Sequence, residues 1–380
     1  MSFKNILEKE LEEIREINRY RERVIVEKNV IDFSSNDYLG LKDNEITKKA
    51  LCKKIKELSL GSGASALVSG YHPVQKELEE TLSAFKETES CIVVGSGYLA
   101  NTGLIQALTT DKDIIFSDQY NHASIIDGIR LSKAKKVIYR HNDINDLEDK
   151  LKKHRPERVS FIITDGVFSM EGDIAPLKDI VFLAKKYGSV VIVDDAHATG
   201  ILGEGKGTLF HYGIKPDENI IQVGTLSKAV GSYGAFVCGT QTVIDFLVNR
   251  MRTGIFSTAL SPIQNFISLS NLRILIEDSY RRVYVLEKAK YTAEKLKEAG
   301  LNINFHGTPI LSLIVGDDKE AVELRDRLLE KGIFIQAIRP PTVPEGTSRL
   351  RITVSYKHKW KEIEKLINTL KNLIGEVCHG

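Results

Sequence analysis

Lys228 stands in the run Gly224-Thr225-Leu226-Ser227-Lys228-Ala229-Val230-Gly231, directly after the apolar stretch Ile220–Gly224. A lysine at a strand end, flanked by two hydroxyls and several glycines, can form a Schiff base when its surroundings lower its pKa. The run lacks the Gly-x-x-x-x-Gly-Lys-Ser/Thr pattern, so it is not a Walker phosphate loop. A second chemical segment is Val193-Asp194-Asp195-Ala196-His197-Ala198-Thr199-Gly200. Two acids at the carboxyl end of a buried strand cost desolvation unless a partner or a task compensates. Metal ligation by Asp194 and His197 is the rival use, but no third ligand cluster lies nearby in the sequence.

Two further segments follow predicted strands, where ligands bind in open α/β sheets. Gly95-Ser96-Gly97-Tyr98-Leu99-Ala100-Asn101 opens a helix, and the free N–H groups of a helix start can seat an anion. Asp118-Gln119-Tyr120-Asn121-His122-Ala123-Ser124 brings a histidine to a strand end. Each alone is ordinary: Gly-x-Gly turns are common, and a lone histidine is usually a cap or a surface residue. Together the four segments match the needs of pyridoxal phosphate. That cofactor takes a lysine for its aldehyde, a carboxylate for its ring nitrogen, a phosphate seat and a group over the ring. Lys228, Asp194, the Gly97–Tyr98 turn and His122 would supply these in turn.

The elements that must position these residues form a βαβ rhythm. Strands are predicted at Ser90–Val94, Asp113–Ser117, Lys136–Tyr139, Val159–Thr164, Val190–Val193 and Ile220–Gly224, with helices between them, as at Ala175–Tyr187. Continuous Val/Ile runs suit strands buried on both faces of a parallel sheet. Upstream, Ile6, Leu7, Leu11, Ile14 and Ile17 predict an amphipathic helix ending near Tyr20, and Val24–Val26 with Val30–Phe33 a short hairpin. Downstream, a long helical stretch runs from Ser261-Pro262 to about Gly300. It precedes strands at Ile310–Val315, Ile333–Ile338 and Leu350–Ser355, with helices at Lys319–Lys331 and from His358. The expected division is 1–44 as an N-terminal helix and hairpin, 45–270 as a large α/β domain, and 271–380 as a small α+β domain.

Composition narrows the field without choosing a reaction. The 380 residues are 42% hydrophobic and 27% charged, which is globular, and 53 basic against 51 acidic residues give a net charge of +2. That balance lacks the basic surplus of a nucleic-acid protein. No window reaches the roughly 18 apolar residues of a membrane span. Cys52, Cys91, Cys238 and Cys378 form no Cys-x-x-Cys pair, and they read as ordinary thiols. With no apolar signal run at the start, the cytoplasm is the default location.

On these residues the chain resembles the α-oxoamine synthase family of fold-type I pyridoxal-phosphate enzymes. The matching stretches are Ser34–Leu41, Ser96–Asn101, His122–Gly128, Phe168–Asp173, Asp194–Gly200 and Thr225–Ala229, in family order across essentially the whole chain. The resemblance implies a large, mostly parallel α/β domain with a smaller α+β C-terminal domain, and a homodimer that shares its active sites. It also implies a decarboxylative condensation of an amino acid with an acyl thioester.

Within that family, the resemblance of the loop Arg339-Pro340-Pro341-Thr342-Val343-Pro344 implies L-alanine and a pimeloyl thioester, on CoA or an acyl carrier protein, as substrates. Glycine with acetyl-CoA is the alternative. An aminotransferase and a non-catalytic relative are more distant rivals. Two stretches depart from the family pattern: Ala66 stands where relatives often carry Arg, and Ser355-Tyr356-Lys357-His358 is bulkier than usual before its histidine.

Carried over residue by residue, the resemblance makes Lys228, His122, Asp194 and His197 catalytic. Gly97, Tyr98, Ser169, Thr225 and Ser227 join them around the cofactor, and Thr258 reaches the phosphate in the partner subunit. Arg19, Asn36, His122, Thr342 and Arg351 contact substrate. Arg349 and Arg351 lie two apart on one strand and point the same way. The seven-residue spacing to His358 favours Arg351 as the carboxylate ligand.

Overall fold

The computed structural model describes residues 2–378, with side chains described to Leu373. The side chain of Cys378 lies outside the described residues. The chain packs as two compact units. One comprises residues 39–169 and 174–283, the other residues 1–38, 170–173 and 284–380. The N-terminal stretch therefore belongs with the C-terminal one and is no separate segment.

The N-terminal helix, Phe3–Glu16, is capped by Ser2, whose side chain accepts the Asn5 N–H. The predicted hairpin does not form. Residues 21–27 have no regular structure, and the short strand β1 (Ile31–Asp32) pairs in parallel with Ile333 and Phe334. A two-stranded hairpin alone buries too little to hold itself, and a partner three hundred residues away offers more.

In the larger unit, β2 (Ser90–Val94), β3 (Ile114–Asp118), β4 (Lys135–Tyr139), β5 (Ser160–Asp165), β6 (Ser189–Asp194), β7 (Ile220–Thr225) and β8 (Ala235–Gly239) form one sheet. Its order is β2-β8-β7-β6-β5-β3-β4, parallel except where β8 runs antiparallel to both neighbours. The strands are apolar on both sides because both sides carry a core. Phe116, Ile162 and Val191 face one cluster with Leu177 and Ile180, while Ile115, Ile163 and Ile192 face another with Leu104 and Ile125. β8 went unpredicted because its residues look like a continuation of the glycine-rich Lys228 loop. It is buried along its whole length, and Phe236 fills the space over Gly224, where an added Cβ would come within 2.3 Å of the ring.

In the smaller unit, β9 (Ile303–Phe305), β10 (Ile310–Gly316), β11 (Ile333–Phe334), β12 (Ala337–Ile338) and β13 (Ser348–Thr353) provide the strands. The antiparallel sheet has the order β12-β13-β10-β9. The single strand expected over Ile333–Ile338 is split: β11 pairs with β1, and β12 with β13. The long helical stretch likewise divides into Pro262–Glu277 and Tyr280–Glu298. No helix among the described residues is long and apolar enough to cross a membrane.

Candidate active site

In the larger unit the predicted residues gather at the carboxyl ends of neighbouring parallel strands. β6 ends on Asp194, and β7 ends on Thr225, three residues before Lys228. Lys228 Nζ lies 2.8 Å from His197 Nε2. Asp194 is buried, and its two carboxylate oxygens accept N–H bonds from Ala196 (2.9 Å) and from the Asn101 side chain (2.6 Å). His122 caps the helix Ala123–Leu131, its ring accepting the Ser124 N–H in place of the usual Ser, Thr, Asp or Asn. The residue keeps some exposure, yet desolvation lowers the pKa of its imidazole. The Asp194 charge opposes that lowering, and the Lys228 charge adds to it.

The hydroxyls of Thr225 and Ser227 are 2.7 Å apart, and the Ser227 N–H donates to Thr225 Oγ1. Ser96 caps the helix Gly97–Leu108, and a Cβ built on Gly97 would meet nothing within 4 Å, so the amides of that helix start have open room. Tyr98 is exposed, its hydroxyl bonded to Asp127. Ser169 is half-buried, and Thr258 is exposed.

The substrate-binding candidates all lie in the smaller unit, His122 excepted. Buried Arg351 donates to Asn36 Oδ1 and Thr353 Oγ1 at 3.0 Å, and to the Tyr38 hydroxyl at 3.4 Å. Arg349 is committed to a carboxylate, donating to Glu171 Oε1 at 2.6 Å. Arg19 belongs to a different cluster. It pairs with Asp318 at 2.8 Å and with Glu345, while Thr342 Oγ1 accepts from Arg21.

Several contributors escaped the sequence reading. Asn101 and Ser124 stand inside quoted motifs, but nothing in one dimension shows that they touch Asp194 and His122. Asp165 pairs in register with Asp194 across β5 and β6 and accepts the His122 N–H at 2.9 Å. Burial, then the Asp194 charge, push its carboxyl well above the usual range. Asp195 faces away from this chemistry, into a fully buried pair with Lys86 at 3.3 Å.

Known proteins are similar to this chain over most of its length. The model of the family "Aminotransferase class I and II" matches residues 28–370. An 8-amino-7-oxononanoate synthase of Lysinibacillus sphaericus is 46% identical over 351 residues, 92% of this chain and 90% of that protein. The chain belongs to the class I and II aminotransferase family, as an α-oxoamine synthase. Two solved α-oxoamine synthases are similar to it throughout. The serine palmitoyltransferase of Sphingomonas wittichii gives a TM-score of 0.90 at 28% identity, over 97% of this chain and 96% of that one. The 8-amino-7-oxononanoate synthase of Francisella tularensis gives 0.79 at 28% identity, over 92% and 99%.

α-Oxoamine synthases are pyridoxal-phosphate-dependent acyltransferases, and the donor set here suits that cofactor. There is a lysine amine for an aldehyde, a buried carboxylate for a ring nitrogen, and an imidazole beside the lysine. An open helix start and paired hydroxyls suit a phosphate. Asn101 Oδ1 and Thr199 Oγ1, both buried beside these groups in the chain, have no hydrogen-bond partner within the protein.

Proposed function

We propose that this α-oxoamine synthase is an 8-amino-7-oxononanoate synthase. It condenses L-alanine with a pimeloyl thioester, carried on CoA or an acyl carrier protein, and releases CO₂ and the free thiol in biotin biosynthesis. The observation that carries the reading is Lys228 Nζ at 2.8 Å from His197 Nε2, one strand away from Asp194. The choice among α-oxoamine substrates rests on relatives at 46% identity bearing that name.

Pyridoxal phosphate, when bound, supplies the electron sink for bond breaking and bond making at the amino-acid α-carbon. The chain's own residues then divide the work. Lys228 would hold the cofactor through its aldehyde, and its free amine would move protons at the amino-acid α-carbon. Asp194 keeps a proton on the ring nitrogen, because a buried carboxylate there favours the cationic ring. His197 and His122 would hold the cofactor ring, His197 from beside Lys228. Thr225, Ser227 and the amides of Gly97 and Tyr98 hold the phosphate, with Ser169 alongside and Thr258 serving the partner's site in a homodimer.

Arg351, with Asn36, takes the alanine carboxylate, since a planar guanidinium matches a planar anion. Arg349 is less suited, as its charge already serves Glu171. Thr342 and Arg19 would contact substrate, Arg19 only by giving up its pairs with Asp318 and Glu345. The location is the cytoplasm, in keeping with the absence, among the described residues, of any helix long and apolar enough to cross a membrane.

A panel of amino acids and thioesters, scored by product mass, tests the reading. Alanine with a pimeloyl thioester should give the amino-ketone. Faster turnover of glycine with acetyl-CoA would overturn the substrate assignment.

A further inference from the structure

The hydrogen bonds around His122 fix more than its position. The Ser124 N–H donates to His122 Nδ1 at 3.2 Å. A backbone amide can only donate, so Nδ1 presents its lone pair and the ring carries its proton on Nε2. Ser124 Oγ lies 2.7 Å from the same nitrogen, and that lone pair makes the hydroxyl the donor there as well. Ser124 Oγ accepts from Asn101 Nδ2 at 2.9 Å, and the other hydrogen of that amide goes to Asp194 Oδ2 at 2.6 Å. Turning the amide over would set its carbonyl oxygen against a carboxylate, so its orientation follows from the chemistry. Asn101 therefore donates to both the Asp194 carboxylate and Ser124 Oγ, which leaves the Ser124 hydroxyl hydrogen for the imidazole. Ser124 is 0% and Asn101 1% exposed, so water is kept from replacing the links.

We propose that Asn101 and Ser124 are positioning residues which lock His122 as the neutral Nε2–H tautomer, so that its second ring nitrogen always offers a donor, never an acceptor, to a substrate oxygen. The use of that donor rests on the function proposed above; the tautomer is a property of the chain alone. A ring locked in this way needs no rearrangement when an anionic substrate group arrives. The lowered pKa of His122 agrees with a ring that stays neutral.

The test is nitrogen NMR on the pyridoxal-phosphate-loaded enzyme with ¹⁵N-labelled histidine, the His122 signal being identified by its loss in His122→Asn. The expected pattern is an unprotonated Nδ1 and a protonated Nε2 across neutral pH. Ser124→Ala leaves only the longer 3.2 Å amide bond on Nδ1 and removes the 2.7 Å hydroxyl bond, and should move both shifts part of the way toward a tautomer average. Ser124→Thr, which restores a hydroxyl, should return them.

In kinetics, Ser124→Ala should lower kcat/KM for the amino acid about tenfold with the thioester KM unchanged, while Ser124→Thr stays within about threefold. Asn101→Asp, which sets a second carboxylate against Asp194, should break the lock. If that variant does not fold, the Ser124 pair still decides. A wild-type ring protonated on Nδ1, or Ser124→Ala shifts identical to wild type, would overturn the proposal. A different preferred substrate would defeat the functional assignment and leave the nitrogen spectrum as it was.

Discussion

Lys228 Nζ and His197 Nε2 lie 2.8 Å apart, although 31 residues separate them. The register of two parallel strands makes the contact: β6 pairs Asp194 with Val223 of β7, which puts the turn carrying His197 beside the loop carrying Lys228. Lys228→Ala should therefore abolish the absorbance band that pyridoxal phosphate shows near the visible edge when lysine-bound. Turnover should fall by more than about 10³-fold, because nucleophile and base are lost together. Persistence of the band in this variant would remove Lys228 from its role.

The two strand arginines should behave differently. Arg351→Lys should raise the alanine KM roughly tenfold to a hundredfold with little change in melting temperature, since one fork of a bidentate bond is lost. Arg349→Ala should instead lower stability by about 3–5 kcal/mol, because Glu171 is left with an uncompensated charge. Thermal melts beside steady-state kinetics separate the outcomes, and reversed phenotypes would exchange the assignments.

Asp195 should prove structural despite standing next to Asp194. Its oxygens accept from Thr208 N–H, Thr208 Oγ1 and Lys86 Nζ, and a Cβ on Gly207 would come within 1.9 Å of Oδ2. Asp195→Ala should cost about 3–5 kcal/mol, as expected when one member of a buried pair is removed. Denaturant titration measures this, and a loss under about 1 kcal/mol would contradict the burial argument.

Lys288 should make stability depend on pH. It is buried, its Nζ donating to the Tyr356 and His358 carbonyls over the Tyr284 ring, and burial lowers its pKa to about 8 from the usual 10.5 despite the opposing charge of Glu362. Between those values the unfolded chain holds the extra proton, so rising pH favours the native state across that window. The stability difference between wild type and Lys288→Met should move by about 3 kcal/mol in favour of wild type from pH 8 to 10.5. A flat difference would show that Lys288 keeps its usual pKa.

The parallel strands were legible from the sequence alone because each is a short Val/Ile run, and a strand buried on both faces leaves that mark whatever it pairs with. Lys228, Asp194, His197 and His122 stood out for the opposite reason, being polar groups at the ends of apolar strands. What escaped was whatever depends on a partner distant in the chain. β8 was hidden by a glycine-rich neighbourhood, and the six residues from Ile333 divide between two sheets because β1 and β13 compete for them.

The neighbouring acids mark the boundary most clearly. Residue type and spacing determined that Asp194 and Asp195 end a buried strand, and hence that both needed compensation. Only the tertiary structure decided which does what. Successive side chains at a strand end point to opposite sides, so Asp194 meets Asn101 on one side while Asp195 meets Lys86 and Thr208 on the other. Arg349 and Arg351, two apart and alike in sequence, were likewise divided by position, one against Glu171 and the other among Asn36, Tyr38 and Thr353. A side chain's type states what it can bond. Which atoms reach within 3 Å of it is settled only when distant segments pack.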